Sequence, residues 1–330
     1  MSSAGPIVKV DGLTVEFIGG GRPVRAVAGV DLMLRPGEAL ALLGESGSGK
    51  SVTLRALMRL LPERRAVIGG KVVVDGEDVR AMSPNALAAY RGRTIAMIFQ
   101  EPGLAFDPVY RVGEQIVEAV TRHEGISRRD ARARALELFE RVRIPSAARR
   151  LDNYAHEMSG GMRQRAMIAL ALACRPKVLL ADEPTTALDA TVQIQVLLLL
   201  RELQRELGLA VIFVTHDIGV AIEVADRIAV MYAGKIVETG TCRDVIRSSA
   251  HPYTGGLLAS RAGGAHVKGE RLAAIPGAPP DLANLPSGCA FAPRCREMLP
   301  ACQREVPPDV PLGGGHSARC LLLSAPVAVG

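Results

Sequence analysis

The 330-residue sequence lacks tryptophan, and only 3% of its residues are aromatic. It also lacks any run of 18 apolar residues, since even Val196–Leu200 is soon followed by charge, so no membrane-spanning helix is predicted. The first residues contain no basic segment followed by an apolar one, which argues against a secretory signal, and we expect a cytosolic protein. Thiols stay reduced there, so the clustered cysteines favour a metal site over disulfides.

Composition and patterning predict an α/β protein. Hydrophobic residues make up 48% of the sequence, which is enough for a core, and the net charge of +6 distinguishes poorly between nucleotide, nucleic acid and membrane as partners. Strands are predicted at residues 7–18, 24–34, 39–43, 70–74, 178–181, 210–215, 228–231 and 236–238, and mostly helical structure at 84–173 and 191–207. Strands that alternate with helices indicate a sheet with a parallel core.

The most informative segment is a glycine-rich loop between an apolar strand, Ala39–Leu43, and a helix-like run. Its pattern is G-x-x-x-x-G-K-S, in which the backbone approaches phosphate closely and the lysine and serine serve phosphate and Mg²⁺. The predicted nucleotide-binding residues here are Gly44, Ser46, Gly47, Ser48, Gly49, Lys50, Ser51 and Val52. The alternative is a chance glycine-rich turn, which the flanking strand and helix argue against.

Two acids follow a second apolar strand. Asp182 and Glu183 end the run that starts at Val178, and such a strand delivers carboxylates to the ligand-binding edge of an α/β sheet. Asp182 is suited to the Mg²⁺ shell and Glu183 to orienting and polarising the attacking water. The alternative is a pair of helix-capping acids before Pro184.

A third element begins at Ser159, where a Ser-Gly-Gly turn through Gly160 and Gly161 to Met162 opens a long helix. A helix N-terminus of this kind is a second phosphate site. One nucleotide cannot easily use both sites of a single chain. We therefore predict a dimer in which the turn of one chain closes over the nucleotide of the other.

With these elements the sequence resembles the ATP-binding subunits of ABC transporters over most of its length. The matching motifs are Walker A at Gly44–Ser51, the Q-loop Gln100, the signature at Ser159–Met162, Walker B at Val178–Glu183, the D-loop Asp189 and the switch His216. The signature departs from its usual form, because Met158 and Met162 replace leucine and glutamine. The resemblance implies a P-loop NTPase fold with a RecA-like core, an antiparallel β subdomain and a helical subdomain.

Further segments are similar to the dipeptide and oligopeptide importers. They are Phe99–Pro102, Asp107–Val109, Val230–Glu238, His251–Leu258 and Leu285–Cys295. This resemblance implies an ATP-hydrolysing subunit that powers the uptake of dipeptides or oligopeptides, or of a related solute. The subunit would lie at the cytoplasmic face of the membrane. Its partners would be two transmembrane permeases, a second ATPase subunit (identical or a paralogue) and an extracytoplasmic solute-binding protein, with no nucleic acid. The alternatives are an ABC ATPase acting on nucleic acid, which usually needs a long coiled-coil or zinc insertion not seen here, and an exporter ATPase.

Residue roles also follow from the resemblance. Lys50, Ser51 and Asp182 would hold MgATP, with Ser51 and Gln100 as the Mg²⁺ ligands. Glu183 would be the general base, and Gln100 and His216 would sense the γ-phosphate. Ser159, Gly160, Gly161, Met162 and Asp189 would serve the partner's site. Phe17 is the candidate adenine-stacking residue, with a core position as the alternative.

The composition shifts near residue 250, so we expect a nucleotide-binding domain at 1–250, with its helical subdomain at about 92–173, and a loop-rich extension at 251–330. The extension carries Cys289, Cys295, Cys302 and Cys320, whose spacing is not that of a zinc finger. Similar tails in the dipeptide importers imply a 4Fe–4S cluster. The alternatives are zinc, in one version with His316 as a ligand, and four unligated thiols.

Overall fold

The structure is a computed structural model, and it describes residues 5–19, 21–186, 188–260 and 275–324. The chain forms two compact units. The first unit comprises Met1–Val8, Met33–Ala39 and Val73–Val214, and the second comprises Lys9–Leu32, Leu40–Val72 and Thr215–Gly330. No helix in the described part of the chain is both long enough and apolar enough to cross a membrane.

The described residues contain the eight predicted strands and four further ones. In chain order the strands are β1 (Val8–Phe17), β2 (Val24–Leu34), β3 (Ala39–Leu43), β4 (Ala66–Val74), β5 (Glu77–Asp78), β6 (Ile95–Ile98), β7 (Val178–Asp182), β8 (Ala210–Thr215), β9 (Arg227–Tyr232), β10 (Lys235–Thr241), β11 (Val310–Gly313) and β12 (His316–Ala318). The helices are α1 (Lys50–Leu57), α2 (Pro84–Arg93), α3 (Val112–Glu124), α4 (Arg128–Arg141), α5 (Ala147–Arg150), α6 (Gly160–Leu172), α7 (Ala190–Leu207), α8 (Ile218–Val224), α9 (Cys242–Arg247) and α10 (Pro252–Ala259).

The first unit contains a parallel sheet in which β7 lies between β6 and β8. Ile98 pairs with Ala181, and Asp182 pairs with Val214, so the carboxyl ends of these strands meet at one edge. All five residues of β7 are buried, which explains its continuous apolar sequence. Helices α3, α4 and α6 pack together within the same unit.

Strand β6 lies inside the stretch that we predicted to be mostly helical. Its four residues are all buried. A run this short carries no period by which a strand can be told from a buried helical turn, so the sequence pattern could not reveal it.

The second unit combines parallel and antiparallel strands. Strand β3 runs parallel to β9, which forms an antiparallel hairpin with β10. Strand β12 then pairs with β10, and β11 pairs with β12. The extension, expected to be loop-rich, thus adds a hairpin to this sheet. In the same unit β1 lies between β2 and β4.

Scarce aromatic residues concentrate where the extension packs. The ring centroids of Tyr232, Tyr253 and Phe291 lie 4.6–5.4 Å apart, and all three side chains are buried. This aromatic cluster shares a core with β3 and β9, and Ile275 and Leu285 of the extension pack against it. Burial of a large aromatic side chain is worth roughly 1.5–3 kcal/mol, so the cluster anchors the extension.

Candidate active site

The phosphate loop connects β3 to α1 in the second unit. Gly49 precedes α1 with φ +102°, and an added Cβ would lie 2.4 Å from the Ala26 carbonyl oxygen. At Gly44 an added Cβ would lie 2.2 Å from the carbonyl oxygen of Met231. The loop therefore requires glycine at both positions, because backbone occupies the space of a side chain.

Lys50 is 4% exposed at the start of α1. Its Nζ donates to the carbonyl oxygens of Gly44 at 2.7 Å and Glu45 at 2.8 Å, and to Ser48 Oγ at 3.4 Å. The loop thus holds the Lys50 ammonium group against its own backbone. The positive charge of this group is suited to attracting the predicted phosphate. Ser51 is half-buried in the first turn of α1, which fits its predicted role.

The predicted acids lie at the carboxyl end of β7 in the first unit. Asp182 is buried, and Glu183 follows it in the left-handed region with φ +44°. A non-glycine residue in this region is strained, and such strain concentrates at functional sites. The Glu183 amide donates to the Val214 carbonyl oxygen at 3.1 Å, which holds the strained turn against β8.

Gln100 meets Glu183 within the first unit. Gln100 Nε2 donates to Glu183 Oε2 at 3.3 Å, and Thr186 Oγ1 donates to the same oxygen at 2.9 Å. The structure thereby joins two residues that the sequence separates by 83 positions. Sequence reasoning missed Thr186, although its hydroxyl three residues after the acid was the available signal.

The signature turn also lies in the first unit. Ser159 is exposed, and its Oγ accepts from the Met162 amide at 3.3 Å as the N-cap of α6. Gly160 and Gly161 are half-buried. Asp189 is another exposed N-cap, whose Oδ1 accepts from the Val192 amide at 3.0 Å. Both helix starts therefore present polar groups to solvent.

Two predicted residues lie elsewhere in the second unit. His216 is exposed at the end of β8, and the neighbouring Asp217 caps α8. Phe17 is the half-buried last residue of β1. Its assignment to adenine stacking stays a prediction.

The four cysteines of the extension influence one another. Burial raises the pKa of the Cys320 thiol, and Cys289, Cys295 and Cys302 raise it further. Burial also raises the pKa of the Cys289 thiol, while hydrogen bonds from neighbouring backbone amides lower it. Within the described residues, no group of three or more His, Cys, Asp or Glu side chains is arranged to hold a metal ion.

Comparison with known proteins agrees with this geometry. Residues 27–186 match the ABC transporter family, and residues 237–302 match the C-terminal region of oligopeptide/dipeptide transporters. The ATP-binding cassette MJ0796, solved as a dimer with ADP and Pi, is 30% identical with a TM-score of 0.64, covering 72% of this chain and 99% of its own. The cbiO1 protein of Clostridium perfringens, part of an ABC transporter complex, is 26% identical with a TM-score of 0.64, covering 74% and 92%. The class is an ABC transporter ATPase with the P-loop NTPase fold.

Relatives that match nearly the whole chain identify its family within the ABC transporter ATPases. A Brucella abortus (strain 2308) protein, named provisionally as a peptide import ATP-binding protein, is 50% identical over 327 residues, which cover 96% of this chain and 97% of the relative. A second protein of the same strain and name is 48% identical over 315 residues, which cover 96% and 94%. The chain belongs to this family of peptide import ATP-binding proteins. Membership confirms the predicted importer ATPase and implies ATP, Mg²⁺, dimerisation and membrane permease partners.

Proposed function

We propose that this chain powers the uptake of dipeptides or oligopeptides through two permease subunits at the cytoplasmic face of the membrane. An extracytoplasmic binding protein would deliver the solute. The observation that carries the proposal is the match of residues 237–302 to the oligopeptide/dipeptide transporter region, together with relatives that match nearly the whole chain. The binding protein and permeases, rather than this subunit, would select the peptide.

In the proposed mechanism the phosphate loop binds nucleotide through its amides and Lys50, while Ser51 and Asp182 serve Mg²⁺. Glu183 accepts a proton from the attacking water. The Gln100 and Thr186 hydrogen bonds to its Oε2 orient the carboxylate. His216 contacts the γ-phosphate. Positioning and charge neutralisation are the main requirements of phosphoryl transfer, and these side chains supply both.

The exposed signature turn supports closure over a partner's nucleotide. Ser159 offers its hydroxyl, and the first amides of α6 lack intrahelical partners, so the turn can accept the γ-phosphate of a second ATPase subunit. Asp189 would lie at the same contact. ATP would thus hold two subunits together, and hydrolysis would release them, which gives a peripheral ATPase a means of moving its permeases.

The hydrolytic roles are tested with Glu183→Gln in the assembled transporter. We expect hydrolysis to slow by about 100-fold or more, since general-base catalysis contributes 10²–10⁴. Nucleotide binding should persist, and uptake of labelled dipeptide should stop. ATP hydrolysis by this variant at the wild-type rate would refute the general-base role. Peptide uptake that continues without the subunit would refute the transport proposal.

Subunit closure is tested in the Glu183→Gln background, where bound ATP persists. This variant should dimerise in MgATP on size-exclusion chromatography, and adding Ser159→Arg should abolish the dimer because the arginine fills the turn. Arg129→Ala, on the exposed side of α4, is the matched control and should dimerise normally. Dimerisation that survives Ser159→Arg would contradict the proposed role of the turn.

We also propose that the four cysteines of the extension bind a 4Fe–4S cluster, with zinc as the alternative, although their side chains are not arranged as a metal site in the described residues. The supporting feature is the set of backbone amides that hydrogen-bond the sulfurs of Cys289, Cys295 and Cys320 and lower their pKa. Amide donors of this kind stabilise metal-bound thiolates. His316 suits the zinc alternative less well, because its Nε2 lies 2.9 Å from Glu238 Oε1. A bound cluster would cross-link the extension.

The cluster is tested by iron, zinc and acid-labile sulfide analysis of anaerobically purified protein. Cys295→Ser should lower the metal content severalfold. Cys242→Ser is the matched control, because the Cys242 thiol instead donates to the Ala225 carbonyl oxygen and should leave the content unchanged. Wild-type protein without bound iron, zinc or sulfide would contradict the assignment.

A further inference from the structure

Arg294 of the extension pairs with a residue of the phosphate loop, 249 positions away. Its Nη1 donates to Glu45 Oε2 at 2.6 Å, and its Nη2 donates to Glu45 Oε1 at 3.0 Å. The Arg294 side chain is 5% exposed and that of Glu45 is 25% exposed. A two-pronged arginine–carboxylate pair of this kind fixes orientation as well as charge.

The guanidinium group is held on its other sides too. Arg294 Nε donates to the Pro276 carbonyl oxygen at 2.8 Å, and its Cζ lies 5.9 Å and 6.0 Å from the ring centroids of Tyr232 and Phe291. Hydrogen bonding to Glu45 raises the pKa of Arg294, so the group stays charged. The aromatic cluster and the extension therefore leave Arg294 little freedom to move.

Glu45 is held through its backbone as well. Its amide donates to Tyr253 Oη at 2.9 Å, and its carbonyl oxygen accepts from Lys50 Nζ at 2.8 Å. A displacement of Glu45 would therefore shift an acceptor of the phosphate-binding ammonium group. The loop and the Pro279–Leu282 segment also line one cavity of about 310 Å³, so the extension lies against the loop over several residues.

We propose that Arg294 is a positioning residue for the phosphate loop, through which the cysteine-bearing extension sets the affinity of the subunit for nucleotide. Two physical effects act together. Arg294 neutralises a carboxylate that would otherwise repel the phosphates from within the loop. It also fixes the Glu45 carbonyl oxygen, and with it the position of Lys50.

The test is equilibrium titration of full-length protein with fluorescent mant-ADP and Mg²⁺. Arg294→Gln should weaken binding about tenfold, within the 5–150-fold range of typical coupling between sites. The loss should grow at low ionic strength, where the unpaired carboxylate is less screened. Arg296→Gln, an exposed arginine two residues later, is the matched control and should bind within twofold of wild type.

The double variant Glu45→Gln/Arg294→Gln separates charge from mere folding. Because it lacks the repelling carboxylate, it should bind mant-ADP at least about threefold more tightly than Arg294→Gln alone, a non-additive result typical of residues in contact. Loss of the extension's packing alone would not give this rescue. Arg294→Lys, which keeps the charge but loses the two-pronged geometry, should bind with intermediate affinity.

Steady-state hydrolysis adds a second readout. The KM for MgATP should rise in Arg294→Gln in parallel with the mant-ADP Kd, while kcat stays within about threefold, because the lost binding is equal in the ground state and the transition state. The proposal is overturned if folded Arg294→Gln and Arg294→Lys bind mant-ADP within twofold of wild type. It is equally overturned if the double variant binds as weakly as Arg294→Gln, or more weakly.

Discussion

Two helix starts in this protein follow glycine-containing turns, yet they are built differently. The phosphate loop precedes α1 through Gly49, without a side-chain cap, and its Lys50 is buried in hydrogen bonds to the loop itself. The signature turn precedes α6 through Ser159, which is exposed and caps the helix with its own hydroxyl. The first turn is held by its own chain, whereas the second is open to solvent.

Under the proposed closure, this difference gives the two turns different roles. A helix N-terminus carries about half a positive charge, enough to favour an anion but weak without a cation nearby. The phosphate loop adds Lys50 and is braced through Glu45 by Tyr253 and Arg294. The signature turn has no lysine among its residues Ser159–Met162. It is therefore suited to completing a site whose nucleotide is already bound elsewhere.

The largest expected difference between the two turns is in nucleotide binding, and it appears when the Lys50 side chain is removed. Lys50→Ala should weaken mant-ATP binding about a thousandfold, because two charge-assisted hydrogen bonds to phosphate are each worth about 2 kcal/mol. Ser159→Arg should leave binding to the isolated subunit within twofold. Lys71→Ala, an exposed lysine on β4, is the control for lost charge. Equal losses from Lys50→Ala and Ser159→Arg would abolish the distinction between the two turns.

Tight packing of the phosphate loop is tested at its glycines. Gly49→Ala should lower the free energy of unfolding by about 4 kcal/mol, because the positive φ and the clash with the Ala26 carbonyl oxygen add. Gly47→Ala is the matched variant: its φ is +78°, but nothing lies within 4 Å of an added Cβ, so the cost should be about 1 kcal/mol. Urea denaturation measures the loss of unfolding free energy in both variants. Equal losses would show that backbone conformation, not packing, sets the requirement for glycine at position 49.

The contacts of Tyr253 and Arg294 with Glu45 brace the phosphate loop, and the stability of this brace is expected to fall in acid. Burial lowers the pKa of His251 to about 4, against an opposing effect of the Glu238 carboxylate, and its neutral Nδ1 accepts from the Tyr253 amide. The unfolded chain takes up this proton near the ordinary value of about 6.5, so stability is complete above that pH and falls as the pH drops toward 4. The loss should reach about 3 kcal/mol.

His251→Asn tests this assignment, since asparagine also caps helix starts and does not titrate. Thermal unfolding between pH 7 and pH 4 should show a shallower pH dependence for the variant than for wild type. An unchanged slope would mean that other groups control the acid response of the brace.

Local motifs made much of this site predictable. The glycines and lysine of the phosphate loop are contiguous, as are Asp182 and Glu183, so each carries its chemistry in a few adjacent residues. Strand β6 could not be predicted, because four buried residues show no period. Strands β11 and β12 were missed for a different reason: Val310–Gly313 contains proline and glycine and is mostly exposed, and β12 has only three residues.

Contacts distant in sequence were beyond prediction. Nothing near Glu45 indicates that its partner lies 249 residues later, and the Arg294 sequence reads only as part of a cysteine motif. The pairing depends on how the extension folds onto the aromatic cluster, and tertiary packing of this kind leaves no pattern in either segment alone.

One of the smallest expected changes in stability comes from Ser159, and it tests whether the signature turn binds a partner's nucleotide. Ser159→Ala removes the cap of α6 and should lower the free energy of unfolding by about 1 kcal/mol. In the proposed closure, the hydroxyl that caps the helix in one subunit is also the group offered to a partner's phosphate. Hydrolysis by the assembled transporter should therefore fall more than this stability loss explains, whereas Ser159→Thr, which keeps a hydroxyl, should restore both. If Ser159→Ala altered stability alone, the turn would be a structural cap, and only the phosphate loop would remain a nucleotide site.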